Sequence, residues 1–316
     1  MTKAGIERCR TMSYEVVAKG LRFPEGPVWM PDGSIVLVEI AAGRLSRVQS
    51  DGCIEVVAEL GGGPNGAAIG PDGYCYVCNN GGFTWANHNG MLFPEGTPDD
   101  YAGGRIEKVN LATGEFETLY TECGGNRLNG PNDIVFDSSG GFWFTDVGKL
   151  WPRKIARGGV YYAKADGSSI TEVFYPLEFP NGIALSPAED RVYFAETMNG
   201  RIWCYPLSGP GQIAGDLIPG NPMNLLHAPG GIRGFDSMAV DSGGHVCQAT
   251  LFEGGISVIT PDGELADFIP FADPFVTNIC FGGEDMSTAY ITLSGSGQLV
   301  RMPWPRPGHR LNFSDR

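Results

Sequence analysis

Six stretches of the chain align without gaps: EGPVWMPDGSIV from Glu25, NGAAIGPDGYCY from Asn65, NDIVFDSSGGFW from Asn132, NGIALSPAEDRV from Asn181, DSMAVDSGGHVC from Asp236 and NICFGGEDMSTA from Asn278. Each opens on one polar residue, continues as a short apolar run and reaches a turn rich in Pro, Asp, Ser and Gly. A second apolar run follows, such as IVLVE, FWFTD or VYFAE. Two β-rich runs joined by a turn read as a hairpin. A third run, usually opened by glycine, recurs at Gly43, Gly104, Gly159, Gly200, Gly255 and Gly297. A fourth leads into the next unit as IEVVAEL, FETLY, ITEVFYP or LADFIPF, and is poorly defined after Asn181. Four strands per unit, repeated every 40 to 67 residues, is the pattern of propeller blades. The expected fold is all-β: a six-bladed β-propeller of four-stranded blades, one domain over residues 1–316. The sixth repeat has no fourth run, and SYEVVAKG at Ser13–Gly20 is left over. This N-terminal strand is expected to close the last blade and remove an exposed sheet edge.

Composition agrees with a turn-rich fold. The 316 residues include 47 Gly and 23 Pro, about 22% against a usual share of about 12%. Hydrophobic residues, at 42%, suffice for a core. The formal charge of −14 would repel phosphate backbones and anionic lipid, so neither nucleic acid nor membrane is expected as a partner. No apolar run reaches a membrane span. The N-terminal MTKAGIERCRTMSYEVV lacks the apolar core of a signal peptide, which makes the cytoplasm the expected location. Eight cysteines then read as reduced thiols. Cys75 and Cys78 form a C-x-x-C, but on a strand they would face opposite ways and could not share a metal.

The repeat register places Glu25, Asn65, Asn132, Asn181, Asp236 and Asn278 at one equivalent position, the start of each blade's innermost strand. All six should point into one end of the central channel. Two packed carboxylates repel unless a proton or cation lies between them. Converging carboxylate and amide oxygens suit a hard divalent cation: calcium, magnesium or manganese, with zinc also open. Taken singly, Asn-Gly and Asp-Ser would cap ordinary turns. Six in register, with the longer Glu25 in the first, argue for a site.

The motifs F-P-E-G-P-V-W (Phe23–Trp29), R-L-N-G-P-N-D (Arg127–Asp133), F-W-F-T-D (Phe142–Asp146), P-N-G-I-A-L-S-P (Pro180–Pro187) and the Asp236-Ser237 pair resemble the gluconolactonase / senescence-marker-protein (regucalcin) family of six-bladed propellers. The likeness covers almost the whole chain. It implies a divalent cation, calcium first, held by Glu25, Asn181 and Asp236, with Asn132 beside it in contact with cation or substrate. It also implies hydrolysis of a sugar lactone or similar cyclic ester. The chain departs from some members of the family in having Gly130, not arginine, two residues before Asn132, with Arg127 further upstream, and from many bacterial relatives in having VGKLWPRK, not a proline and an aromatic residue, after Asp146. Both departures touch the expected substrate pocket. The related diisopropyl fluorophosphatase shares the Glu/Asn/Asn/Asp arrangement, so a phosphotriesterase-like hydrolase on the same site is an alternative. A non-enzymatic calcium-binding propeller is another.

A cation there would polarise a carbonyl and acidify a water. Asp236 is the expected proton acceptor, with Glu25 second. No G-x-S-x-G occurs, and the four histidines form no zinc spacing. Two long loops, Gly81–Gly103 and Asp146–Gly158, should open on the same face as the channel residues. Expected substrate contacts are Asn132, Asn65 and Asn278 in the ring, with Arg127, Trp85, His88, Asp146, Lys149 and Arg153 around it. Lys149, Arg153, Lys154 and Arg157 would bring a basic cluster to the rim, either to meet an anionic substrate or merely to solvate the loop. A third stretch, Gly220–Phe235, should bring His227 and Arg233 to the same face. The second FPEG, Phe93–Gly96, lacks the following apolar run and turn and so opens no blade.

Overall fold

In the computed structural model, which describes residues 13–215, 218–231 and 233–315, the chain forms a six-bladed β-propeller. Among the described residues there is no α-helix, only two three-residue 3-10 turns. The innermost strands are Pro24–Trp29, Pro64–Ile69, Pro131–Phe136, Pro180–Leu185, Gly234–Val240 and Val276–Gly282. Each contacts the next around the axis, and the sixth returns to the first. The strand Glu15–Lys19 pairs antiparallel with Gln298–Pro303 as the outer strand of blade six, so the N-terminus closes the ring as the leftover run implies.

The core is distributed. Six apolar clusters lie between successive blades; one joins Val28, Val36 and Leu45 of the first to Ala67, Cys75 and Val77 of the second. Alternation along each strand supplies both faces. Cys75 therefore packs in that cluster and Cys78 in the one between blades two and three. Burial pushes the Cys75 thiol up to about 12 and Cys78 well above its ordinary value, which keeps both inert. Cys9 lies outside the described residues.

The weak fourth strand after Asn181 is the short segment Leu225–His227, paired with Arg201–Gly209. The stretch Gly220–Phe235 is thus spent completing blade four. His227 Nδ1 lies 2.8 Å from the Gly263 carbonyl and Arg233 pairs with Glu253 at 3.0 Å, and neither lines the cavity at the mouth of the channel. At the opposite end of the axis the C-terminal segment closes a narrow apolar space of about 70 Å³ through His309, Leu311 and Asn312.

Candidate active site

Every innermost strand is irregular at its polar residue. The ladder slips between Glu25 and Val28, Pro64 and Ala67, Pro131 and Ile134, Pro180 and Ile183, Phe235 and Met238, and Val276 and Asn278. A bulge re-aims a side chain that a regular strand would bury between blades. The six polar residues therefore lie within strands, and the reading of Asn-Gly and Asp-Ser as turn caps is set aside. The glycines that follow have a packing reason. A Cβ on Gly66 would stand 2.4 Å from the Asn132 carbonyl oxygen, and one on Gly182 2.5 Å from that of Asp236.

Glu25, Asn65, Asn132, Asn181 and Asp236 line the floor of one cavity of about 440 Å³. Glu25 Oε2 accepts hydrogen bonds from Asn278 Nδ2 and from the Gly26 amide, both at 2.7 Å. Its Oε1 is buried without a partner, as are Asn132 Oδ1 and Asn181 Oδ1. Burial pushes the Glu25 carboxyl up to about 7, against the pull of the Asn278 and Gly26 hydrogen bonds. Asp236 is raised well above the usual range, first by burial and then by repulsion from Glu25. Three unpaired oxygens beside two strained carboxylates are a donor set for a hard cation. Among the described residues no group of three or more His, Cys, Asp or Glu side chains could hold a metal, so a cation on this floor depends on amide oxygens as well as carboxylates.

Asn278 belongs to the ring but does not line the cavity. Its Oδ1 accepts from its neighbour's amide, Ile279 N, at 2.7 Å. It orients Glu25 and does not face substrate space. Asp133 was not anticipated. It points below the floor, where its carboxylate accepts from Ile134 N at 3.0 Å and Ile183 N at 3.3 Å. Burial, then Glu25, push it up to about 8.

Both long loops arch over the cavity as hairpins, Thr84–His88 with Met91–Gly96 and Lys149–Trp151 with Lys154–Ala156. The second FPEG opens no blade, yet Phe93, Pro94 and Glu95 form cavity wall. Of the loop side chains expected at the substrate, Lys149 lines the cavity while Trp85, His88, Arg127 and Arg153 do not. Trp85 packs behind the wall against Phe23, at 5.0 Å between centroids. His88, Arg127 and Arg153 are exposed. The basic rim cluster also dissolves. Lys149 is buried with Nζ on the Gly82 carbonyl at 2.7 Å, Arg157 pairs with Glu178, and Lys154 lies over the Trp151 ring at 4.7 Å.

A family model described as the SMP-30/gluconolactonase/LRE-like region matches residues 23–295. The chain belongs to that family. It is 27% identical over 313 residues to a gluconolactonase of Zymomonas mobilis subsp. mobilis, covering 91% of this chain and 80% of that one. It is 28% identical over 294 residues to a 6-deoxy-6-sulfogluconolactonase of Pseudomonas putida, covering 90% and 88%. Among solved structures, a calcium-binding regucalcin of Agrobacterium tumefaciens superposes with a TM-score of 0.72 at 20% identity, covering 95% and 98%, a likeness of fold.

In this SMP-30/gluconolactonase-family chain the F-T-D aspartate is a structural tie. Asp146 accepts from the amides of Asn129, Gly130 and Gly148, each at 2.7 Å, and does not line the cavity. The end of the second strand holds the incoming loop in other blades as well. Glu39 accepts from Arg22 N at 2.8 Å, Asn79 Oδ1 from Gly63 N at 2.9 Å and Glu196 from Glu178 N at 2.7 Å. Four members of one repeat position do one job, and none of the four lines the cavity.

Proposed function

We propose that this protein opens a lactone by divalent-cation-dependent hydrolysis at the cavity floor. The observation that carries the reading is the convergence of Glu25 Oε1, Asn132 Oδ1 and Asn181 Oδ1, all buried and unpaired, beside Asp236. Buried polar atoms rarely go without a partner, and a cation would satisfy all three. Family membership and the lactonase names among its relatives support the reaction; the calcium-binding regucalcin supports the cation class. Glu25, Asn132, Asn181 and Asp236 would hold the ion, and calcium fits this all-oxygen set. Bound there, it supplies positive charge that polarises an ester carbonyl and acidifies a water.

The chain's own residues do the rest. Asn278 holds Glu25 in one rotamer through a 2.7 Å hydrogen bond, leaving Oε1 directed to the site. Asp236, on the floor beside Glu25, is the carboxylate placed to accept a proton from the attacking water once a bound cation offsets the repulsion from Glu25. The proton taken there can pass to the alkoxide released as the ring opens. Asn65 adds an amide to the floor for the substrate. The two hairpins supply Phe93, Pro94, Glu95, Lys149 and Leu150 to the wall over that floor. The test is acid release from a lactone panel by protein stripped with EDTA and then reloaded with calcium, magnesium, manganese or zinc. Activity should vanish on stripping and return with a preferred ion. Hydrolysis indifferent to EDTA would overturn the proposal.

A further inference from the structure

Above the polar floor the cavity wall carries six phenylalanines: Phe23, Phe83, Phe93, Phe179, Phe252 and Phe275. Phe275 joins three of them, meeting Phe93 at 4.9 Å, Phe23 at 5.9 Å and Phe252 at 6.4 Å between centroids. Phe23, Phe179 and Phe252 have φ of 58°, 52° and 69°. Glycine enters that left-handed region freely and a bulky side chain enters it at a cost. Three aromatic rings are therefore kept at backbone positions where glycine would be less strained, and all three face the same cavity.

The wall offers little to a hydroxyl group. Lys149 Nζ is drawn back to Gly82 O at 2.7 Å and Asn80 Oδ1 at 3.5 Å, neither of which lines the cavity. Thr97 Oγ1 donates to Leu150 O at 2.8 Å. Among the described wall residues, Thr197 Oγ1, buried and unpartnered, and Glu95 at the exposed rim are left. A sugar lactone carries a hydroxyl on most of its ring carbons. Against this wall those hydroxyls would leave water without gaining a partner. An alkyl or aryl group in the same place gains by leaving water.

We propose that the substrate is a lactone bearing an apolar substituent, its ester group on the floor and its alkyl or aryl part against the phenylalanine wall. The cavity volume lies in the range of small-ligand sites. The proposal rests on the lactone-hydrolase reading for the reaction, and on the wall for the specificity. The calcium-loaded full chain is assayed on δ-valerolactone, δ-octanolactone, δ-decalactone and glucono-1,5-lactone. In parallel, calorimetry follows binding of δ-valerolactam and its pentyl-substituted counterpart, which are not hydrolysed. The value of kcat/KM should rise about fourfold per added methylene, and δ-decalactone should exceed glucono-1,5-lactone at least tenfold. Lactam binding should strengthen by a similar factor. Phe252 is 54% exposed, so F252A should fold and should flatten the dependence on chain length. Chain-length independence in both measurements, or preference for glucono-1,5-lactone, would overturn the proposal. Chain-length-dependent lactam binding without turnover of any lactone would support the apolar subsite and overturn the hydrolase reading instead.

Discussion

Replacing Lys149 by methionine keeps the length of the side chain and removes its charge. Lys149 is only 2% exposed, its hydrogen-bond partners are the neutral oxygens of Gly82 and Asn80, and its ammonium lies 4.2 Å from the centre of the Phe83 ring. Burial lowers its pKa from 10.5 to about 7, against an opposing pull from Asp146. Between those values the folded chain binds fewer protons than the unfolded one. The lysine's contribution to stability is therefore fully present above 10.5 and lost as pH falls through 7. The whole interval corresponds to on the order of 5 kcal/mol, of which about 3 kcal/mol should fall between pH 6 and pH 9.5. The methionine variant loses the bond to Gly82 O, a cost that does not change with pH. Urea unfolding of both proteins across this range, at one fixed cation concentration, gives the difference curve. Shared tyrosine and carboxylate titrations cancel in it. The variant's stability relative to the parent should be highest at pH 6 and should fall by about 3 kcal/mol by pH 9.5. Parallel curves would show that Lys149 keeps an ordinary pKa and that the argument from burial fails.

Two further outcomes are expected. Asp236→Asn keeps most of the shape and removes the proton acceptor, so the lactone turnover rate at saturating cation should fall about 10²–10⁴-fold; full recovery at high cation would make Asp236 a ligand only and move proton transfer to Glu25. Deleting residues 1–20 removes the outer strand of blade six, with its buried Ala18 and its ladder to Gln298–Pro303, and should lower the melting temperature by at least about 5 °C; an unchanged melting curve would count against ring closure by this strand.

The blade count, the ring closure and the five floor residues that line the cavity were legible because each is a repeated feature, and repetition averages out local ambiguity. What lay outside the repeat was not. Lys149 and Arg153 are four residues apart on one loop, yet one is buried and one exposed, because a hairpin inside that loop decides which side faces the cavity. Asp146 was legible in principle. Glu39, Asn79 and Glu196 stand at the same repeat position, and a position filled in four blades out of six points to blade construction more than to one substrate. Asp133 had no such signal. Its counterparts are Gly26, Gly66, Gly182, Ser237 and Ile279, and only the bulge determines that this residue turns below the floor.

Glu25 departs from the asparagine that fills four of the six ring positions, and it is longer than the aspartate at the other. The innermost strands of blades six and one meet where the ring closes, and the hydrogen bonds that cross that seam include Ser294 Oγ to Pro24 O at 2.6 Å and Asn278 Nδ2 to Glu25 Oε2 at 2.7 Å. Asparagine elsewhere in the ring has one oxygen and one amino group, so an asparagine here that accepted from Asn278 would have no second oxygen for the site. A carboxylate has two. The longer glutamate lets one oxygen be tied across the seam while the other stays unpaired at the floor. Ring closure and the proposed cation site therefore meet in a single side chain. The glutamate stands where the first and last blades join, with one oxygen tied to the fold and the other left for the proposed cation.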